Sequence, residues 1–360
     1  MHRPFITDIL GVRGSNALKK LLVFNYCMDE NDPLLSHQIQ AVNRLAAHFD
    51  KVTVITGRIG KYEEKLNVRI ISTHWSPGKK ILSALTFLAI SIPHIIFGNY
   101  SVLFSHMTEV QSSLVAPLTR TRRLRHFLWY AHTTPSRYLK WSHFWVNGII
   151  TSTPGSCPIK SKKIFPIGQA VDPNAFPFAS RTDYAFNRAI HIGRFDPSKK
   201  IDQIVNVGKK ILAKNLSFKL TLIGSPSTAR AKIESERLLS QFHEEIGKGW
   251  LVFLPSVRRS EVPALLASQD FFIHAYEGSL DKTLIEATLS GLPVITLNPE
   301  YQSEFGNWGS EIPPILYSEY LGLSSKSDSD LRAILNWRKN KSKSDHSIDS
   351  WITNLVEVLN

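Results

Sequence analysis

Two short stretches of the chain gather residue types able to hold a phosphorylated substrate. GRFDPSKK (193–200) places a glycine, an arginine and two lysines at what reads as a strand-to-helix turn. A helix starting there presents free backbone N–H groups and the positive end of its dipole. Gly193 lets the backbone approach closely, Arg194 offers a bidentate fork and Lys199 a point charge, a combination suited to a diphosphate. The competing reading is that Lys199 and Lys200 only solvate the start of a helix. The pattern is not a Walker loop, since G-x-x-x-x-G-K-[ST] does not occur.

EGSLDKTLIEATLSG (277–291) is the second stretch, with Glu277 and Glu286 nine positions apart. It reads as a loop opening into a short helix, with Asp281 at the N-cap and Gly291 just past the end. Glu286 then falls in the first turns, on the side expected to face a cleft, where a carboxylate can accept from both hydroxyls of a ribose. The amides of Ser279, Leu280, Asp281 and Lys282 offer donors to a phosphate or sugar oxygen. Against this stands the simpler reading of Glu286 as a dipole-complementing or capping carboxylate.

These stretches need a scaffold, and 360 residues suffice for two domains with separate cores. From Lys20 onward, short apolar runs alternate with helical patterns, as in a doubly wound α/β domain. The runs KLLVFNY, KVTVITG, VRIIST, SVLFSH, HFLWYAH and GIITST lack polar alternation, which fits parallel strands covered on both faces. PIGQAVDPNAFPFAS (166–180) reads as a linker. A second set of strands follows in RAIHIGRF, FKLTLIG, WLVFLPSV, DFFIHAY and LPVITLN, and an amphipathic helix is expected over 196–214 with Asp196 as its N-cap. SSKSDSD and KNKSKSD near the end read as exposed loops.

Composition narrows the function. The 43% apolar and 20% charged fractions exclude long disorder. Cys27 and Cys157 lie far apart, which excludes a disulfide scaffold or zinc knuckle and fits a reducing compartment. The first twenty residues hold no apolar core of signal-peptide length, so a cytoplasmic protein is expected. The formal charge of +13 gathers in TRTRRLR (119–125), KSKK (160–163), Arg258-Arg259 and 338–343. Without a nucleic-acid module, the expected partners are a phosphate-bearing substrate and an anionic membrane surface rather than nucleic acid. ILSALTFLAISIPHIIFG (81–98) is shorter than the ~20 residues that cross a bilayer and contains Pro93. It reads first as a buried helix running into a loop, and second as a helix in a membrane interface beside TRTRRLR; a true span is the third reading.

Taken in order, GRFDPSKK, LTLIG, VFLPSV and LIEATLSGLPVIT resemble glycosyltransferase family 4, the group 1 retaining enzymes of GT-B architecture. FSHM, WYAHTT and GQAVDPNAF extend the resemblance into the first half, and HSIDSWITNLVEVL resembles the family's closing helix. The resemblance implies two Rossmann-like domains facing across a cleft. The acceptor-side domain would span 1–170, the nucleotide-sugar domain 171–345, and a closing helix over 346–360 would pack back on the first. It further implies that Arg194 and Lys199 hold the donor diphosphate, that Glu286 holds the ribose, and that His132 lies near the donor sugar. Val257 falls where the family's backbone meets the base, and His106 is a weaker cleft candidate whose simpler reading is a packed histidine. No metal and no cofactor beyond the nucleotide sugar are implied, and the acceptor is a glycan or lipid-linked glycan at the inner membrane face.

Two places depart from the family pattern. Gly278 stands where the family has its first motif glutamate, with Glu277 one place upstream, and the Gly-Gly loop after the first strand is replaced by CMDENDPLLSHQ. These departures motivate an alternative, a non-catalytic GT-B protein that binds a nucleotide sugar or partners an active transferase. An epimerase on this fold would need carboxylates converging on one carbon, which the sequence does not locate.

Overall fold

The computed structural model describes residues 19–32, 35–179, 181 and 183–360. Residues 1–18, on which the expectation about a signal peptide rests, and part of the CMDENDPLLSHQ loop lie outside the described residues.

The first sheet contains β1 (Lys20–Met28), β2 (Lys51–Ile59), β3 (Val68–Ser72), β4 (Val102–His106), β5 (Arg125–Trp129), β6 (Gly148–Thr151) and β7 (Ile164–Pro166). All are parallel, in the order β3-β2-β1-β4-β5-β6-β7. Strand periodicity sends alternate residues to opposite faces. Leu21 and Val23 pack under α1 (His37–Leu45), while Leu22 and Phe24 pack under α2 (Lys80–Phe97) and α3 (Glu109–Thr121). Helix α4 (Arg137–Trp145) covers Leu128 and Ile149 on the same face as α2 and α3.

The second sheet contains β8 (Arg188–Ile192), β9 (Lys219–Ile223), β10 (Leu251–Leu254), β11 (Phe271–His274) and β12 (Val294–Thr296), parallel in the order β10-β9-β8-β11-β12. Its helices are α5 (Ile201–Leu212), α6 (Ala229–Gln241), α7 (His243–Gly247), α8 (Val262–Ala267), α9 (Lys282–Leu289), α10 (Pro299–Phe305), α11 (Leu316–Ser324) and α12 (Asp328–His346). Helix α13 (Ile348–Leu359) returns to the first sheet, where Trp351, Ile352, Leu355 and Leu359 join the cluster containing Val23 and Phe104. Each such side chain contributes about 1.5–3 kcal/mol on burial.

The chain therefore crosses between the two halves twice, and the crossings pair. Val171 bridges Ser347, with Val171 N–H donating to His346 O (3.0 Å) and Ile348 N–H to Val171 O (2.8 Å). Gly168 lies at φ +88° beside the backbone of Asp345, a conformation and closeness that favour glycine.

Several expectations are corrected. β7 follows KSKK and was not read from sequence. The helix expected from Asp196 begins only at Ile201, because a 3-10 turn spans Pro197–Lys199 and Lys200 is left-handed (φ 51°, ψ 46°). KNKSKSD is helical within α12, whose buried Leu331, Leu335 and Arg338 anchor an otherwise polar helix. Helix α2 runs unbroken through Pro93 to Phe97 and is buried only at Ser83, Phe87, Ser91 and Ile95, so the buried-helix-and-loop reading fails.

Strand order reverses between β1 and β4 in one sheet and between β8 and β11 in the other. In open α/β sheets the crevice beyond the strand ends at such a reversal is where ligands bind. His106 ends β4, GRFDPSKK follows β8, and EGSLDK follows β11.

Candidate active site

A cavity of about 380 Å³ lies between these strand ends, walled by both halves of the chain. From the first half come Tyr26, His106, Glu109 and His132, and from the second Arg194, Lys199, Tyr276, Ser279, Leu280, Asp281 and Lys282. Eight sequence-predicted residues thus line one cavity. Gly193, Val257, Glu277, Gly278 and Glu286 do not line it.

The left-handed Lys200 separates the 3-10 turn from α5, and Lys199 is left 6% exposed at the cavity wall. Its ammonium pairs with the Asp281 carboxylate and lies 4.0 Å from the centre of the Tyr276 ring. Asp281 stands at the N-cap position of α9 with extended backbone, yet its side chain makes no capping bond. Instead Asp281 meets His274 Nε2 at 3.2 Å, and His274 Nδ1 meets Thr296 Oγ1 at 3.1 Å. Burial alone would raise the Asp281 carboxyl, but the charge of Lys199 and the His274 bond outweigh it and hold it well below the usual carboxylate range. Arg194 reaches Asp196 at 3.2 Å and Ser227 Oγ at 3.3 Å, leaving its guanidinium half-exposed on the cavity.

Lys282 opens α9. Burial, then the nearby charge of Arg259, pulls its ammonium down to about 7. On the opposite wall His132 lies beyond the end of β5, in the loop leading to α4, edge-on to Tyr130 at 5.5 Å. The cleft walls and then Arg194 depress its pKa, so the neutral imidazole is favoured. His106 is 4% exposed and packed among Phe104, Trp129 and Trp351; burial pushes it down to about 3. It fits the packed-histidine reading, although its edge reaches the cavity.

The carboxylates of the second stretch depart from expectation. Glu286 does not open on the cavity: it is 0% exposed, and its carboxylate lies against the guanidinium of Arg259. Glu277 points outward and pairs with Lys200 at 2.7 Å. A side chain at Gly278 would collide with the Tyr276 ring, so tyrosine covers the place of the family's first glutamate. The Leu280 amide, expected to serve a ligand, donates to Ser156 Oγ of the first half at 3.0 Å. Gln169 Nε2 donates to Leu280 O at 2.6 Å. Val257 packs beside the cluster of Ile190 and Leu284, in the loop after β10.

Sequence reasoning missed four residues that shape the site. Asn298 is fully buried and donates from Nδ2 to the carbonyls of Tyr276, Gly278 and Ser279 at 3.0–3.1 Å, clamping the loop before α9. Its signal was available: asparagine before Pro299 is a helix-cap pattern, and its Oδ1 accepts from Tyr301 N–H. Tyr276 and Arg259 carried no spacing signal. Glu109 sits in the first turn of α3, its carboxyl raised by burial against the lowering contact of Ser136, with one oxygen buried and without a hydrogen-bond partner among the described residues.

Two parallel sheets with their switch points facing one cavity decide the architecture. The fold is GT-B. Residues 187–307 match the family model described as glycosyl transferases group 1. Similar solved structures include Anabaena Alr3699/HepE in complex with UDP and glucose, at 13% identity and TM-score 0.69, over 95% of this chain and 99% of that one. Sucrose-phosphate synthase from Thermosynechococcus elongatus aligns at 13% identity and TM-score 0.73, over 94% and 98%. A glycosyltransferase from Rickettsia africae aligns at 12% identity and TM-score 0.67, over 95% and 98%. No curated protein matches in sequence. The group 1 match covers β8 to α10, the half of the GT-B fold that carries Arg194, Lys199 and α9.

Proposed function

We propose that the chain is a metal-independent, retaining glycosyltransferase of family 4. It would move a hexose-type sugar from a nucleotide diphosphate sugar to a glycan or lipid-linked acceptor. The observation that carries this reading is the meeting of Arg194, Lys199 and Lys282 with His132 across one cavity, within a GT-B fold whose second half matches the group 1 model. Arg194 and Lys199 take the diphosphate; the ribose reaches Glu286 by displacing Arg259; the base rests on the backbone near Val257. The acceptor hydroxyl attacks the anomeric carbon from the leaving-group side as the bond to the phosphate oxygen breaks. That oxygen, stabilised by the cations, takes the hydroxyl proton. His132 lies beside the sugar, and Glu109, from the same half of the chain, is placed to accept from acceptor hydroxyls.

The covering of Gly278 by Tyr276 favours a second reading, a nucleotide-sugar-binding partner protein without turnover. A thermal-shift panel of UDP, GDP, ADP and their sugars tests the common ground. A ligand at ~100 times its dissociation constant stabilises by about 2.7 kcal/mol. Transfer or hydrolysis of the stabilising donor selects the enzyme; binding without either selects the partner protein. Unchanged transfer in both Lys199→Ala and Glu286→Ala would reject the site assignment.

A further inference from the structure

The charge of this chain is not spread evenly. Between Lys65 and Val171 there are thirteen lysines and arginines and a single carboxylate, Glu109, so this stretch carries nearly all of the formal +13. The same stretch holds α2, whose outer face is a stripe of Ile81, Leu85, Ala89, Pro93 and Phe97 at four-residue spacing. Ile81 is 80% exposed, Leu82 and Leu85 59% each, and Phe97 78%. Helix α4 adds Trp141 (51%) and Phe144 (70%) on the same side of the sheet. Cations stand at both ends of α2: Lys79 and Lys80 at the start, and Arg122 at the finish, where its Nη2 donates to Ile96 O. Beside that end, Arg120, Arg123 and Asn147 line a hollow of about 360 Å³.

We infer that the α2–α3–α4 layer is a docking surface for an anionic lipid bilayer, with the apolar stripe in the acyl boundary and a lipid phosphate in the Arg120–Arg123 hollow. Helix α2 is long and apolar enough to cross a membrane by length and composition, but it does not span one here. It joins β3 to β4 of one sheet, and Phe87 (2% exposed) and Ile95 (5%) seat it there. It therefore lies in the interface plane. Nucleic acid would meet the arginines but would leave exposed leucine and isoleucine unpaid by any contact. A second copy of the chain would bring two basic clusters together, which disfavours self-association. Helix α3 begins at the cavity wall with Glu109, so a bilayer on this face would present a lipid-linked acceptor beside that carboxylate. Membrane binding does not depend on the catalytic reading and is tested without turnover.

The experiment is co-sedimentation of the full chain with phosphatidylcholine vesicles, with and without about 30 mol% phosphatidylglycerol. Preferential binding to the anionic vesicles, weakening with salt, is expected. Leu82→Ser/Leu85→Ser and Arg120→Ala/Arg123→Ala should each reduce partitioning on the order of tenfold or more. Because these side chains are exposed, unchanged circular dichroism and thermal unfolding will show that folding is intact. Equal binding to neutral vesicles, or none, overturns the inference. So does anionic binding that survives both double variants. Binding to a single-stranded RNA probe that outcompetes vesicles, or a dimer lost on Leu82→Ser/Leu85→Ser without vesicle binding, replaces the bilayer with that partner.

Discussion

The guanidinium of Arg259 lies against the carboxylate of Glu286, a side chain with no exposed surface at all. A ribose seeking that carboxylate has to compete with a resident cation. Arg259→Ala is expected to cost about 1–2 kcal/mol in the ligand-free chain, because it strands a buried charge; the half-exposed arginine keeps this below the full cost of breaking a buried pair. The same variant should show a larger thermal shift with the cognate nucleotide than the wild type, since the ribose then supplies the missing donors. Glu286→Ala should lose that shift. Thermal unfolding with and without nucleotide reads all three, and an unaltered ligand-free stability in Arg259→Ala would sink the competition idea.

Lys282 gives a pH signature. Its folded value of about 7 lies below the ~10.4 of an unfolded lysine, so the unfolded chain binds more protons between those limits. Stability should therefore rise with pH from about 7 to about 10, relative to Lys282→Met, and this gain is absent below pH 7. Melting curves of both proteins across that range provide the check, and parallel pH profiles contradict it. Nucleotide binding would recharge Lys282, so affinity should weaken as pH rises above 7.

Placing at 278 the glutamate of the family that the sequence resembles is expected to fail on its own. Gly278→Glu drives the new side chain into the Tyr276 ring, at a cost of about 1–3 kcal/mol. Gly278→Glu combined with Tyr276→Gly removes the obstacle and should recover most of that loss. Comparing donor turnover in the double variant and the wild type shows whether tyrosine has replaced the carboxylate or merely displaced it.

Asn298→Ala removes the clamp on three carbonyls and the cap on α10 together. A loss of about 2–3 kcal/mol is expected, with faster amide exchange across 276–282. Exchange confined to α10, with the 276–282 peptide still protected, would limit Asn298 to a helix cap.

Ser156→Ala frees the Leu280 amide from the first half of the chain. The expected cost is about 1 kcal/mol, and the freed N–H should become available to a donor oxygen. Hydrogen exchange at Leu280 should rise in the ligand-free variant and fall again on nucleotide binding. Protection that is the same with and without the serine hydroxyl argues that this contact does not hold the halves together.

How far the sequence spoke depends on whether a feature is local. The parallel sheets were legible because β1 and β4 are continuous apolar runs, and Arg194, Lys199, Asp281 and Lys282 because strand-to-helix turns must place them at one rim. What was misread turned on contacts between distant residues. The left-handed Lys200 shortens a helix whose pattern alone predicts an earlier start. Glu286 has the helical position expected, yet Arg259, 27 positions away, closes the route to the cavity. Spacing could not reveal that a serine from the first half occupies the Leu280 amide, nor that KNKSKSD becomes helical once Arg338 is buried over Trp308.

The return of α13 bears on how this chain is made. Trp351, Ile352, Leu355 and Leu359 finish the core under Val23 and Phe104, although Trp351 follows Val23 by 328 positions and Phe104 by 247. During vectorial synthesis the first half therefore leaves the ribosome with an unfinished, apolar face. It stays so until α13 emerges, and messages truncated before α13 should yield aggregating rather than merely inactive product.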